Sequence, residues 1–211
     1  MNSPVAIFSV RYRLGPEVQY PKGAEDGKAA IEYFFENSEK HGCDASKLCI
    51  MGESAGGWIT MCSAILLSRE DKCDKVKLMI LTCPMLGALV TEKIPKDKVE
   101  EWEQPQWDFR KDYFEMHSED VEANMNDPLL FPYTLPVEDM KKLPQTILST
   151  SEFDWMRRDV HMIIPKMKEA GIYVDHTDYS GVQHGFQYSV DEPKHALWFD
   201  DMKEIYEKHL L

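Results

Sequence analysis

A chain of 211 residues with 43% apolar and 29% charged residues can bury one sizeable core and has an ordinary globular composition. Its net charge of −13 opposes phosphate backbones and anionic bilayers, which argues against nucleic-acid binding and serves solubility. Five cysteines (Cys43, Cys49, Cys62, Cys73 and Cys83) form an odd count with no C-x-x-C pair and no attendant histidine cluster, so neither a disulfide scaffold nor a metal site is expected. No apolar run approaches the roughly 18 residues of a membrane span.

Residues 4–10, PVAIFSV, read as a short buried strand, followed by a Pro/Gly-punctuated turn from Tyr12 to Pro21. Ala29, Ala30, Tyr33 and Phe34 share one face of a helix over 24–40, and Gly42 suits its stop. A second strand covers 47–51. An apolar segment from Trp58 to Leu67 lacks period-2 alternation and reads as a buried helix. A third strand runs from Val76 to Cys83. Strands alternating with helices predict a mostly parallel sheet flanked by helices.

The rhythm stops over about 85–140, where charges, prolines and the aromatics Trp102, Trp107, Phe109, Tyr113, Phe114, Phe131 and Tyr133 crowd together. This stretch reads as a helical cap inserted into a single domain spanning 1–211. Its aromatics either seat the cap on the body or line an apolar pocket. The rhythm resumes with a strand ending near Ser149, a helix over 157–170, a strand over 172–178 and a helix from Pro193. In that last helix Trp198, Met202, Ile205 and His209 recur on one face.

Gly52-Glu53-Ser54-Ala55-Gly56 matches G-x-S-x-G between a strand and a helix, the setting in which a sharp turn lifts a serine hydroxyl above a sheet. Gly52 and Gly56 let strand and helix approach, Ala55 and Gly57 help, and the Ala55 N–H is a candidate oxyanion donor. A serine needs a base. Among seven histidines, His184 lies in a Gly-flanked loop just after the last strand. His176 sits within that strand, and the others fall on helices or in the cap. The third member accepts a hydrogen bond from the imidazole. Asp154, beyond a strand's carboxyl end, is the candidate, with Glu152, Asp159 and Asp178 as rivals. Glu53 and Gly185, beside the nucleophile and the base, are candidate substrate contacts.

Four blocks together resemble the hormonesensitive-lipase-like esterases of the α/β-hydrolase fold. They are Tyr12-Arg13-Leu14-Gly15-Pro16-Glu17 with Pro21 and Asp26, the GESAGG elbow, Asp127-Pro128 through Leu143-Pro144 to Asp154-Trp155-Met156-Arg157-Arg158-Asp159, and His184-Gly185-Phe186. They occur in the family's order across nearly the whole chain. Met156 and Gly15 stand where the family has Leu and Ala. The resemblance implies an α/β-hydrolase fold and a triad of Ser54, Asp154 and His184 that cleaves small carboxylic esters without cofactor or metal.

One block of the family is not found. Its members carry an H-G-G-G loop, which donates further oxyanion N–H groups, upstream of the segment that Tyr12 begins here. The fold is therefore expected to be incomplete, with a strand missing between 4–10 and 47–51. That gap leaves unpaired edges, draws the first strand across, or is covered by a homodimer. Membrane association through an upstream segment stays open, and a complete chain would be cytoplasmic. Two further readings stand beside the esterase: a non-catalytic ligand-binding protein, against which the intact His184 counts, and a catalytically impaired fragment.

Overall fold

The computed structural model describes residues 5–92 and 107–211. Four parallel strands form one sheet in the order β1 (Cys49–Glu53), β2 (Leu78–Thr82), β3 (Thr146–Phe153) and β4 (Val174–Gln183). Helix α1 (Lys22–Asn37) precedes the sheet, α2 (Ala55–Ser68) links β1 to β2, α6 (Arg157–Glu169) links β3 to β4, and α7 (His195–His209) closes the chain. Between β2 and β3 lie α3 (Ala88–Thr91), α4 (Trp107–His117) and α5 (Val137–Met140).

All five residues of β2 are buried, because both faces of the sheet are covered. Met79 and Leu81 join the larger core with α1, α2 and α6, while Leu78 and Ile80 meet Met202, Trp198 and Ile205 of α7 on the other face. The period-2 pleat thus divides one apolar run between two layers. The inward face expected of α7 is the face that packs. Helix α2 is buried on nearly every side, since the inserted segment covers what the sheet and α1 leave open. Trp58 Nε1 donates to Leu130 O at 3.1 Å, and Ser63 Oγ donates to Ala24 O at 3.0 Å.

The inserted segment holds the short helices α3, α4 and α5 with turns between α4 and α5, and several of its aromatics are packing groups. Phe114 and Phe131 are fully buried with ring centroids 4.5 Å apart, and Tyr113 lies edge-on to Trp58. Phe109 is half exposed. Residues 93–106, with Trp102, and the Trp107 side chain fall outside the described residues.

One expected element is not found. Residues 5–10 form no strand, and Ile7 is 76% exposed. A strand exists only by pairing, and among the described residues β1 pairs with β2 alone. Phe8 instead rests on the Phe34 ring at 4.0 Å. A groove of about 760 Å³ separates residues 5–10 from β1, lined by Ile50, Met51, Phe34 and Gly56 among others.

Candidate active site

The turn from β1 into α2 holds Ser54 at φ 54° and ψ −120°, a conformation that costs a non-glycine residue about 1–3 kcal/mol. Hydrogen bonds on both sides fix it: Ser54 N donates to Thr82 O at 3.0 Å, and Met85 N donates to Ser54 O at 3.3 Å. The glycines around it are not equivalent. A Cβ on Gly52 would lie 2.2 Å from Gly56 O, and one on Gly57 would lie 2.8 Å from Pro84 Cβ. At Gly56 a Cβ would meet nothing within 4 Å. The close approach of strand and helix therefore rests on Gly52 and Gly57, not on Gly52 and Gly56. Ala55 begins α2, where the first backbone N–H groups have no acceptor within the helix.

Strand β3 runs four residues past Ser149 and delivers Asp154 directly at its carboxyl end. Asp154 is 1% exposed. Its Oδ1 accepts from Met156 N at 2.9 Å, and its Oδ2 accepts from His184 Nδ1 at 2.7 Å. Strand β4 likewise runs to Gln183, so His184 is the first residue beyond it. Gly185 follows at φ 75°, a left-handed turn that glycine makes without strain and that starts the short helix Phe186–Tyr188. The imidazole is 35% exposed, and its partial burial disfavours the charged form. The hydrogen bond to Asp154 and the charges of Asp154 and Glu53 outweigh that, and the His184 pKa is raised above its ordinary 6.5.

The rival carboxylates are engaged elsewhere. Glu152 accepts from Gly181 N at 2.6 Å. Asp159, buried on α6, accepts from Leu86 N at 3.0 Å and Gly87 N at 2.6 Å, tying down the loop after β2. Asp178 faces Arg157, whose Nε lies 3.0 Å from both carboxylate oxygens. Burial raises the Asp178 pKa, but these bonds hold it below the ordinary range. Among the other histidines, His176 pairs with Thr150 Oγ1 at 2.8 Å, and His117 Nδ1 lies 2.8 Å from Tyr113 O.

Two neighbours have roles that the sequence did not disclose. Cys83, at φ 44° and fully buried, brings its thiol within 4.8 Å of an Asp154 oxygen and a His184 ring nitrogen. These three side chains are the one His/Cys/Asp/Glu group among the described residues with the spacing to hold a metal ion. Their chemistry does not suit one. Burial and the nearby Asp154 push the Cys83 thiol well above its ordinary value, which opposes the thiolate a metal would need, and the Asp154–His184 hydrogen bond takes up Asp154 Oδ2 and His184 Nδ1. Glu53, immediately before Ser54, receives hydrogen bonds on its two oxygens from Gln187 Nε2 and Tyr188 OH. Its carboxylate is thus occupied within the chain.

A serine lies at a strained strand-to-helix turn after β1, and a carboxylate-bound histidine lies just beyond the carboxyl end of β4. The family model described as "alpha/beta hydrolase fold" matches residues 1–188. The chain belongs to this family, in its hormone-sensitive-lipase-like branch. Among curated relatives, the versiconal hemiacetal acetate esterase of Dothistroma septosporum is 27% identical over 203 residues, covering 93% of this chain and 61% of the relative. The arylesterase of Saccharolobus solfataricus is 28% identical over 191 residues, covering 85% and 57%. An esterase of Rhizomucor miehei shares the fold, with a TM-score of 0.82 at 23% identity over 94% of this chain and 63% of that one. The chain therefore spans about 60% of the length of these relatives. The α/β-hydrolase fold expected from the four blocks is the fold observed.

Proposed function

We propose that this chain carries the reacting groups of a carboxylic ester hydrolase, with Ser54 as nucleophile, His184 as general base and Asp154 as the acid that orients it. One observation supports this reading above the others: Asp154, at the end of β3, holds the His184 Nδ1 at 2.7 Å. That bond fixes the proton on Nδ1 and leaves Nε2 to accept the serine proton. Ser54 N is bonded to Thr82 O at the end of β2, one residue before Cys83, whose thiol comes within 4.8 Å of an Asp154 oxygen and a His184 ring nitrogen, and this supports including the elbow in the site.

Ser54 Oγ attacks the ester carbonyl as His184 takes its proton. The tetrahedral oxyanion is met by the Ala55 N–H at the start of α2. Collapse expels the alcohol, protonated by His184, and leaves an acyl group on Ser54. Water activated by the same imidazole then releases the acid. Neither a metal nor an organic cofactor is required. A small-molecule ester with an apolar acyl or aryl group suits the aromatic cap.

The reading is tested with a fluorophosphonate probe. Labelling at Ser54 that is abolished in Ser54→Ala and strongly reduced in His184→Ala supports it. A folded chain that takes no label supports the impaired-fragment or non-catalytic binding alternative.

A further inference from the structure

We propose that Glu53 is a positioning residue that clamps the histidine loop: its carboxylate grips Gln187 and Tyr188 and thereby holds His184 over the elbow. The inference rests on the assignment of His184 as the base. The motif leaves the position before the serine open, so nothing in G-x-S-x-G demands a carboxylate there. Here it bridges parts of the chain 134 and 135 residues apart. Gly185 and the short helix Phe186–Tyr188 that it starts are the only covalent link between His184 and the two gripping residues. Gln187 is 2% exposed and Phe186 5%, so the loop is anchored on one side by packing and on the other by Glu53.

The clamp also carries charge. Tyr188, Gln187, His184, Asp154 and Cys83 are the polar and titratable groups that face Glu53, and each belongs to the site. Glu53 therefore acts on the imidazole both through the loop and through space. These two effects separate by substitution. Gln187 Oε1 is buried without a partner, so its amide can turn over and accept from a glutamine at position 53. Glu53→Gln thus keeps the grip and loses the charge, whereas Glu53→Ala loses both.

The readout is the His184 ring titration by NMR together with amide hydrogen exchange at Gly185 to Ser189, on the full chain. Neither depends on turnover, so failure of the esterase reading and failure of the clamp remain distinct. A unit charge at close range in near-aqueous surroundings is worth about 0.5–1 pH unit. Glu53→Gln is expected to lower the His184 midpoint by about that amount with loop exchange near wild type. Glu53→Ala is expected to lower it as well and to speed loop exchange at least tenfold. Ser54 labelling should fall in the alanine variant and be largely rescued in the glutamine one. An unmoved His184 midpoint in both variants, or loop exchange in Glu53→Ala equal to wild type, overturns the proposal.

Discussion

Replacing Asp154 with Asn exchanges a single heavy atom and should remove nearly all reactivity. The carboxylate has two acceptors in use, Oδ1 from Met156 N at 2.9 Å and Oδ2 from His184 Nδ1 at 2.7 Å. An amide offers one acceptor to two donors. With its oxygen toward His184, its NH2 group faces the Met156 N–H, donor against donor, in a site 1% exposed. With its NH2 toward His184, the imidazole must shift its proton to Nε2 and can no longer accept from Ser54. The second arrangement removes the base, a loss of about 10³- to 10⁴-fold in rate; the first forfeits a buried hydrogen bond at about 1–3 kcal/mol. Labelling of Ser54 by a fluorophosphonate as a function of pH measures the first quantity and urea unfolding the second. The pH dependence has a definite sign. The folded His184 pKa is raised, so its contribution to stability is fully present below the unfolded value near 6.5 and is lost as pH rises through the folded one. Asp154→Asn should therefore destabilise more at pH 5.5 than at pH 8.5. A variant that labels within threefold of wild type at pH 8 would refute the assignment of Asp154.

The glycines at the elbow give opposite expectations. Gly57→Ala places a Cβ 2.8 Å from Pro84 Cβ and should cost about 1–3 kcal/mol in urea unfolding, as overpacking does. Gly56→Ala meets nothing within 4 Å in a helical position and should be neutral or stabilising by about 0.5–1 kcal/mol. Asp159→Ala removes the one carboxylate oxygen that accepts from both Leu86 N and Gly87 N, so unfolding should become easier by about 1–3 kcal/mol. Its His184 titration should stay near wild type, because Asp159 is no part of the histidine's hydrogen bonding. Leu81→Ala, in the fully buried β2, should cost about 2–5 kcal/mol by the same urea measurement.

The elbow was legible in the sequence because steric demands write themselves as small residues at fixed spacing. The strand-to-helix turn fell where G-x-S-x-G placed it, and of the two helix glycines expected to contribute, Gly57 is the one in tight contact and Gly56 is not. The ends of β3 and β4 were not legible, for a definite reason. Ser149, Thr150 and Ser151 are polar yet at most 3% exposed, because Ser149 bonds to Thr82 Oγ1, Thr150 to His176 and Asp178, and Ser151 lies against Cys83. Cross-strand pairs satisfied by other side chains let a strand continue through residues whose composition signals a loop. The reverse holds for residues 5–10. Their apolar run suits a strand, but pairing is a tertiary fact, and no described segment lies beside them. Glu53's clamp and Cys83's proximity had no sequence signal, since each depends on contacts that distant parts of the chain provide.

Four carboxylates lie near the carboxyl ends of β3 and β4, and chain order alone does not rank them. Their donors do. Glu152 holds a backbone N–H across β4, Asp159 holds two in the loop after β2, and Asp178 holds a guanidinium. Asp154 is the one whose bond to a local backbone N–H leaves a second oxygen facing an imidazole. The short turn that follows β3 thus does two things at once. It satisfies Oδ1 through Met156 N, and in doing so it fixes the carboxylate plane so that Oδ2 points at His184. A carboxylate without that tether could rotate to accept from either side. The acid is therefore set by the backbone donor that immobilises it as much as by the histidine it serves.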